Sequence, residues 1–134
     1  MAVEQRFTGP WQLYDYLDSD GNNVIKIWAD KELQSRDRGK LSRKLDMLEQ
    51  NGPNLSTDLL SDTHIRTIKK LRINGEVAIR LMLCRGPIDH QGEFTLLFGA
   101  KEQNRKLVPR DAEQRAEDNR QEIINNPLRR CIHE

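Results

Sequence analysis

IRTIKKLRINGEVAIRLMLC, residues 65–84, decides the fold: two apolar runs, Ile65 to Ile73 and Glu76 to Cys84, flank Asn74-Gly75. Asn-Gly adopts the positive backbone angles of a tight hairpin turn at little cost, and between strand-like runs it is the strongest short-range hairpin signal. A third run, Glu93 to Phe98, follows the turn-rich stretch from Gly86 to Gly92 and extends the hairpin into a meander. Upstream, Trp11 to Leu17 alternates loosely, as a strand does, and runs into the turn residues Asp18 to Asn23. Val24, Ile27, Trp28 and Leu33 then share a helical face, with Asn22 or Asn23 placed as N-cap, so a helix is expected over 24–35. Leu41, Leu45 and Leu48 continue at i, i+4, i+7 in a second helix that ends at Asn51-Gly52-Pro53. Downstream, Pro109 stands where a first helical turn would start, and Arg110 to Ile124 is a charged helix carrying Ala112, Ala116 and Ile123.

The order strand, helix, helix, three strands, helix predicts an α+β domain. Its antiparallel sheet of about four strands would carry an N-terminal helical hairpin and a C-terminal helix. The 134 residues, 36% hydrophobic, supply material for one core, so a single domain over 1–134 is expected, with its core at about 11–124 and a C-terminal tail at 125–134. The sequence contains no run of 18 apolar residues, and the opening MAVEQRFTGPW lacks the charged-then-apolar design of a signal peptide, so a soluble cytoplasmic protein with no membrane partner is expected. Cys84 and Cys131 fit neither a disulfide-dense scaffold nor a CxxC zinc pair and are expected to be reduced and inert.

A net charge of +1 excludes a strongly basic coat, so any electrostatic function must come from distribution. Residues 1–60 hold 8 Lys+Arg against 10 Asp+Glu, whereas residues 61–134 hold 14 against 11. Within 63–85, Arg66, Lys69, Lys70, Arg72, Arg80 and Arg85 face one acid, Glu76, and Lys101, Arg105, Lys106 and Arg110 face only Glu102 within 101–110. In the meander these stretches meet around one sheet and form one basic surface. Alternation along a strand sends Arg66, Lys70 and Arg72 to one face with Ile68. Arg80, embedded in VAIRLMLC, must be paired or must line a groove. A strict two-residue turn pairs Ile73 with Glu76 and sends Arg80 to the opposite face from Arg72; a three-residue or bulged turn puts Arg80 directly across from Arg72.

Other motifs carry less. Asp15, Asp18, Asp20 and Asn22 lack the glycine and glutamate of a calcium loop, and Gly86 to Gly92 lacks nucleotide-loop spacing, so neither a metal nor a cofactor is expected. Trp11 and Trp28 are expected as core anchors.

The element order, together with IKKLRINGEVAIRLML, FTLLFGAKEQNRKLVP, the Leu48-Glu49-Gln50-Asn51-Gly52 helix ending and an alanine-spaced charged helix, resembles the RelE/ParE toxin superfamily, with its HigB-like, phage-derived branch the most similar, over residues 11–124. The resemblance implies a RelE-like fold and a toxin neutralised by a cognate antitoxin protein. It further implies a ribosome-dependent endoribonuclease in which a 2′-hydroxyl of the messenger attacks the adjacent phosphodiester without a metal. Carried across, Lys70, Arg72, Arg80 and Lys101 take the catalytic positions, and Arg66, Lys69, Arg85, Arg105 and Lys106 bind nucleic acid. Arginine suits a phosphate because its planar fork holds two oxygens and keeps its charge. The sequence departs from the pattern in having no tyrosine after Phe98. His64, His90 and His133 are candidates to replace it, against the simpler readings of strand start, exposed loop and frayed terminus. The alternatives are a ParE-like protein that inhibits DNA gyrase by binding, and an inactive relative retained for binding.

Overall fold

A computed structural model describes residues 11–134. In chain order the elements are β1 (Gln12–Tyr16), α1 (Val24–Glu32), α2 (Ser35–Asn51), a 3-10 turn (Gly52–Asn54), β2 (Leu60–Asp62), β3 (Lys69–Asn74), β4 (Ala78–Arg85), β5 (Glu93–Gln103), β6 (Lys106–Val108), α3 (Ala112–Asn125) and β7 (Arg130–Ile132). The α+β class and the helical hairpin are as expected. The sheet is larger: seven strands in the order β2-β3-β4-β5-β1-β7, with β6 paired to β5. It is also mixed, because β1 runs parallel to β5. The segment expected as a tail supplies β7, antiparallel to β1.

The sheet is covered on both faces. On one, α1 and α2 bury Ile25, Leu41, Leu45 and Leu48 against Leu71, Ile73, Ile79, Leu81 and Leu83. On the other, α3 lays Ala112, Ala116 and Ile123 against Ile68, Met82, Cys84, Leu97 and Ala100. Alanines let the α3 backbone approach the sheet closely, which explains a helix so poor in large apolar residues. Asn23 caps α1, its Oδ1 accepting from Lys26 N at 2.9 Å. Gly52 ends α2 at φ 56°, and a Cβ there would lie 2.3 Å from Trp11 Nε1, so only glycine fits.

Two local features set the register. Asn74 pairs with Ala78, so the β3–β4 loop is the three residues Gly75, Glu76 and Val77 instead of the two-residue Asn-Gly turn. The cause is tertiary: the buried carboxylate of Asp37 on α2 accepts from Glu76 N at 3.2 Å, and a Cβ on Gly75 would lie 2.1 Å from Asp37 Oδ1. The second feature is a bulge in β5. Leu83 pairs with Leu96 but Met82 pairs with Phe98, leaving Leu97 without a partner. Asn119 of α3 donates its side-chain amide to Leu97 O at 2.8 Å, so the interrupted ladder keeps its carbonyl satisfied.

Candidate nucleic-acid interface

β3, β4 and β5 converge on the α3 side of the sheet at the hairpin end. Because of the three-residue loop, Arg72 and Arg80 are direct cross-strand partners, and Lys70 lies opposite Met82 on the same face. Like charges placed directly opposite repel unless a counter-charge intervenes. Glu102 provides it. Its Oε1 accepts from Arg80 Nε at 2.9 Å, while Arg80 Nη1 donates to Asn74 Oδ1 at 3.2 Å and to Ile79 O at 2.8 Å. Arg80 is 3% exposed, so of the two sequence alternatives, pairing or lining a groove, pairing is observed. Lys70 and Arg72 are half-buried and have no carboxylate within ion-pair distance among the described residues.

The β5 bulge decides what else joins them. It sends Glu102 to the face of Arg80 and turns Lys101 the other way, opposite Ile79, where Lys101 Nζ meets Glu32 of α1 at 3.3 Å. Lys101 therefore stands apart from Lys70, Arg72 and Arg80, with the sheet between them. Lys69 likewise lies on the helical-hairpin side; its ammonium is 2.5 Å from Asp62, whose carboxyl it holds below the usual range through a hydrogen bond and charge. Arg85 donates to His90 O and lays its guanidinium 5.0 Å from the Trp11 ring centre, on that same side. Arg66 is exposed in the turn before β3, since the strand begins at Lys69 and not at Ile65. Arg105, at φ 66°, and Lys106 are exposed at the β5–β6 connection beyond Glu102. The expected single basic surface thus divides in two. Lys70, Arg72 and Arg80 gather on the α3 side with Glu102, and Arg105 and Lys106 follow Glu102 in the chain.

The histidines are dispersed. His64 is exposed and faces Glu113 of α3, with Nδ1 3.2 Å from Oε1. His90 is exposed in the β4–β5 loop against Gly86. His133 is the structured one: its backbone N donates to Leu13 O and its ring Nδ1 lies 2.9 Å from Asp15 Oδ1. The hydrogen bond to Asp15 raises its pKa above the ordinary histidine value, against the opposing effect of burial. None of the three adjoins Arg72 and Arg80.

Sequence reasoning passed over Glu102, counting it only as a charge that diluted the basic stretch. The signal that could have found it is the buried arginine itself: a guanidinium inside VAIRLMLC requires a carboxylate, and Glu102 is the acid of the neighbouring strand nearest the hairpin end. Burial pushes the Cys84 thiol up to about 12, consistent with the inert cysteine expected. No group of three metal-ligating side chains occurs among the described residues, and none of their helices is long and apolar enough to cross a membrane. Compared with known proteins, the chain has no significant match to a family model, a curated protein or a solved structure.

Proposed function

We propose that this chain is a RelE/ParE-like toxin of the HigB-like branch that acts on messenger RNA at the ribosome, and that Lys70, Arg72 and the Arg80–Glu102 pair form its site. The observation that carries the reading is the three-residue β3–β4 loop, which places Arg72 across from Arg80 with Lys70 on the same face. Arg72 and Lys70 supply fixed positive charge for the non-bridging oxygens of a phosphodiester, where charge grows in a pentacoordinate transition state. Arg80 acts at one remove: it holds the carboxylate of Glu102, whose other oxygen accepts the proton of the attacking 2′-hydroxyl. The new bond joins the 2′-oxygen to phosphorus, the bond from phosphorus to the 5′-oxygen breaks, and the leaving oxygen takes a proton from Lys70 or water. Products are a 2′,3′-cyclic phosphate and a 5′-hydroxyl. Lys101, paired with Glu32 across the sheet, takes no part in this scheme.

The test is induced expression of wild type beside Arg72→Ala, with growth followed and primer extension on a translated transcript. Arg72 is the choice because its half-exposed side chain can be removed without opening the core. Codon-phased breaks with wild type and their loss in Arg72→Ala support the proposal. Growth arrest without breaks overturns cleavage and turns attention to DNA gyrase.

The second reading, inhibition of gyrase by binding alone, gains from two observations: Lys101 lies away from the cluster, and no tyrosine follows Phe98. A supercoiling assay with purified protein separates it from the first. A cognate antitoxin is part of both proposals.

A further inference from the structure

On the opposite side of the sheet from Arg72 and Arg80, a cavity of about 480 Å³ opens between α1, α2 and the β1–β7 pair. Its size lies within the range of small-molecule sites, roughly 300–1,000 Å³. Ile25 and Ala29 of α1 and Leu41 and Leu45 of α2 line it with apolar surface. Polar side chains share the lining with them. Lys26 and Arg38 contribute cations; Arg38 spends one N–H on Leu33 O and keeps the rest of its fork. His133 presents an imidazole whose Nδ1 is taken by Asp15, leaving Nε2 as the ring's other hydrogen-bonding atom. Asp15, 3% exposed, is hydrogen-bonded to His133 and to Asn23 Nδ2, the latter at 2.9 Å. The remaining carboxylate on the lining is that of exposed Glu134.

Apolar surface beside Lys26 and Arg38, with the Asp15 carboxylate engaged by Asn23 and His133 and that of Glu134 exposed, suits an amphiphilic anion anchored at the two cations. We propose that this cavity is a binding site for a small organic anion with an apolar chain, its carboxylate held by Lys26 and Arg38 and its chain laid on Ile25, Ala29, Leu41 and Leu45. The site is separate from the RNA-facing cluster and does not depend on it. On the same lining, the Asn23 that caps α1 also holds Asp15, and Asp15 holds the His133 ring, so helix, strand and imidazole are joined by one network.

Octanoate is the probe, with octanol and octylamine as neutral and cationic matches of equal chain length, added to the full chain and followed by amide chemical shifts. Expected are saturable shifts centred on Ile25, Ala29, Leu41 and Leu45, with octanoate binding at least about tenfold more tightly than octanol and octylamine weakest. Lys26→Ala, at an exposed position, weakens octanoate about tenfold and leaves octanol unchanged. Ala29→Trp fills the chain-binding surface and weakens both. Absence of saturable octanoate binding, equal affinity for octanol, preference for octylamine, or indifference to Lys26→Ala each overturns the proposal.

Discussion

Glu102→Ala isolates the arrangement on which the site depends. The Arg80 side chain is 4% exposed and Glu102 27% exposed, so the substitution strands a largely buried guanidinium. Breaking a buried ion pair by removing one partner costs about 3–5 kcal/mol. Two features reduce this here: Arg80 keeps its bonds to Asn74 Oδ1 and Ile79 O, and the space left by Glu102 admits water. A loss of about 2–3 kcal/mol follows. With a urea dependence of about 1–3 kcal/mol per molar for a small domain, the unfolding midpoint falls by about 0.7–3 M at unchanged slope. Urea denaturation followed by circular dichroism measures it. The double variant Arg80→Met with Glu102→Leu replaces the pair with apolar groups and recovers most of the loss. A loss below about 0.5 kcal/mol for Glu102→Ala would refute the reasoning, because it would mean that the guanidinium is already solvated and free to swing toward a phosphate.

Further expectations concern the scaffold around the site. Gly99→Ala would place a Cβ 2.0 Å from Trp28 Cδ2, so the indole must shift, at a cost of about 1–3 kcal/mol in denaturant melts and with altered tryptophan emission; unchanged stability would contradict this packing. His133 has its pKa raised by Asp15, so its bond contributes stability fully below the ordinary histidine value and loses it as pH rises through the folded value. His133→Asn should therefore lower the melting temperature more at about pH 6 than at about pH 9, and an equal effect at both would contradict the bond. The Arg120 hydrogen bond brings the Glu117 carboxyl down to about 2, with further bonds from Gln121 and Thr67. That contribution is present above the unfolded carboxylate value of 4.5 and lost as pH falls toward about 2, so Glu117→Gln should flatten this part of the acid unfolding curve.

The helices were legible because their signals are local. Asn23 as N-cap, the Leu41, Leu45, Leu48 spacing and the Gly52 stop all lie within a few residues of what they determine. The meander was legible for the same reason, but its turn was not. Asn74-Gly75 favours a two-residue loop taken alone, and the three-residue loop forms because Asp37, 38 residues upstream of Gly75 in the numbering, docks its carboxylate there. The site was half legible. The cross-strand pairing of Arg72 and Arg80 follows from one of the two registers the sequence allows. That Glu102 and not Lys101 shares the face of Arg72 and Arg80 does not, because it depends on a bulge at Leu97 held by Asn119 from a helix that comes later in the chain. A single extra residue reverses every side chain beyond it. The short strands were missed because β7 owes its place to pairing: Arg130 binds Glu93 at 2.6 Å, and Arg129 donates to Leu17 O and Glu122. Three-residue strands carry too little alternation to be read as such.

In the proposed reaction, the face bearing Arg72, Arg80 and Glu102 assists attack by an RNA 2′-hydroxyl. The most direct measurement supplies purified protein to ribosomes programmed with two messengers identical except for a 2′-deoxynucleotide at the scissile position in the decoding site. The all-ribose messenger should be cut to a 2′,3′-cyclic phosphate and a 5′-hydroxyl, and the deoxy-substituted messenger should remain whole. Equal cutting of both, or cutting of neither, would contradict it.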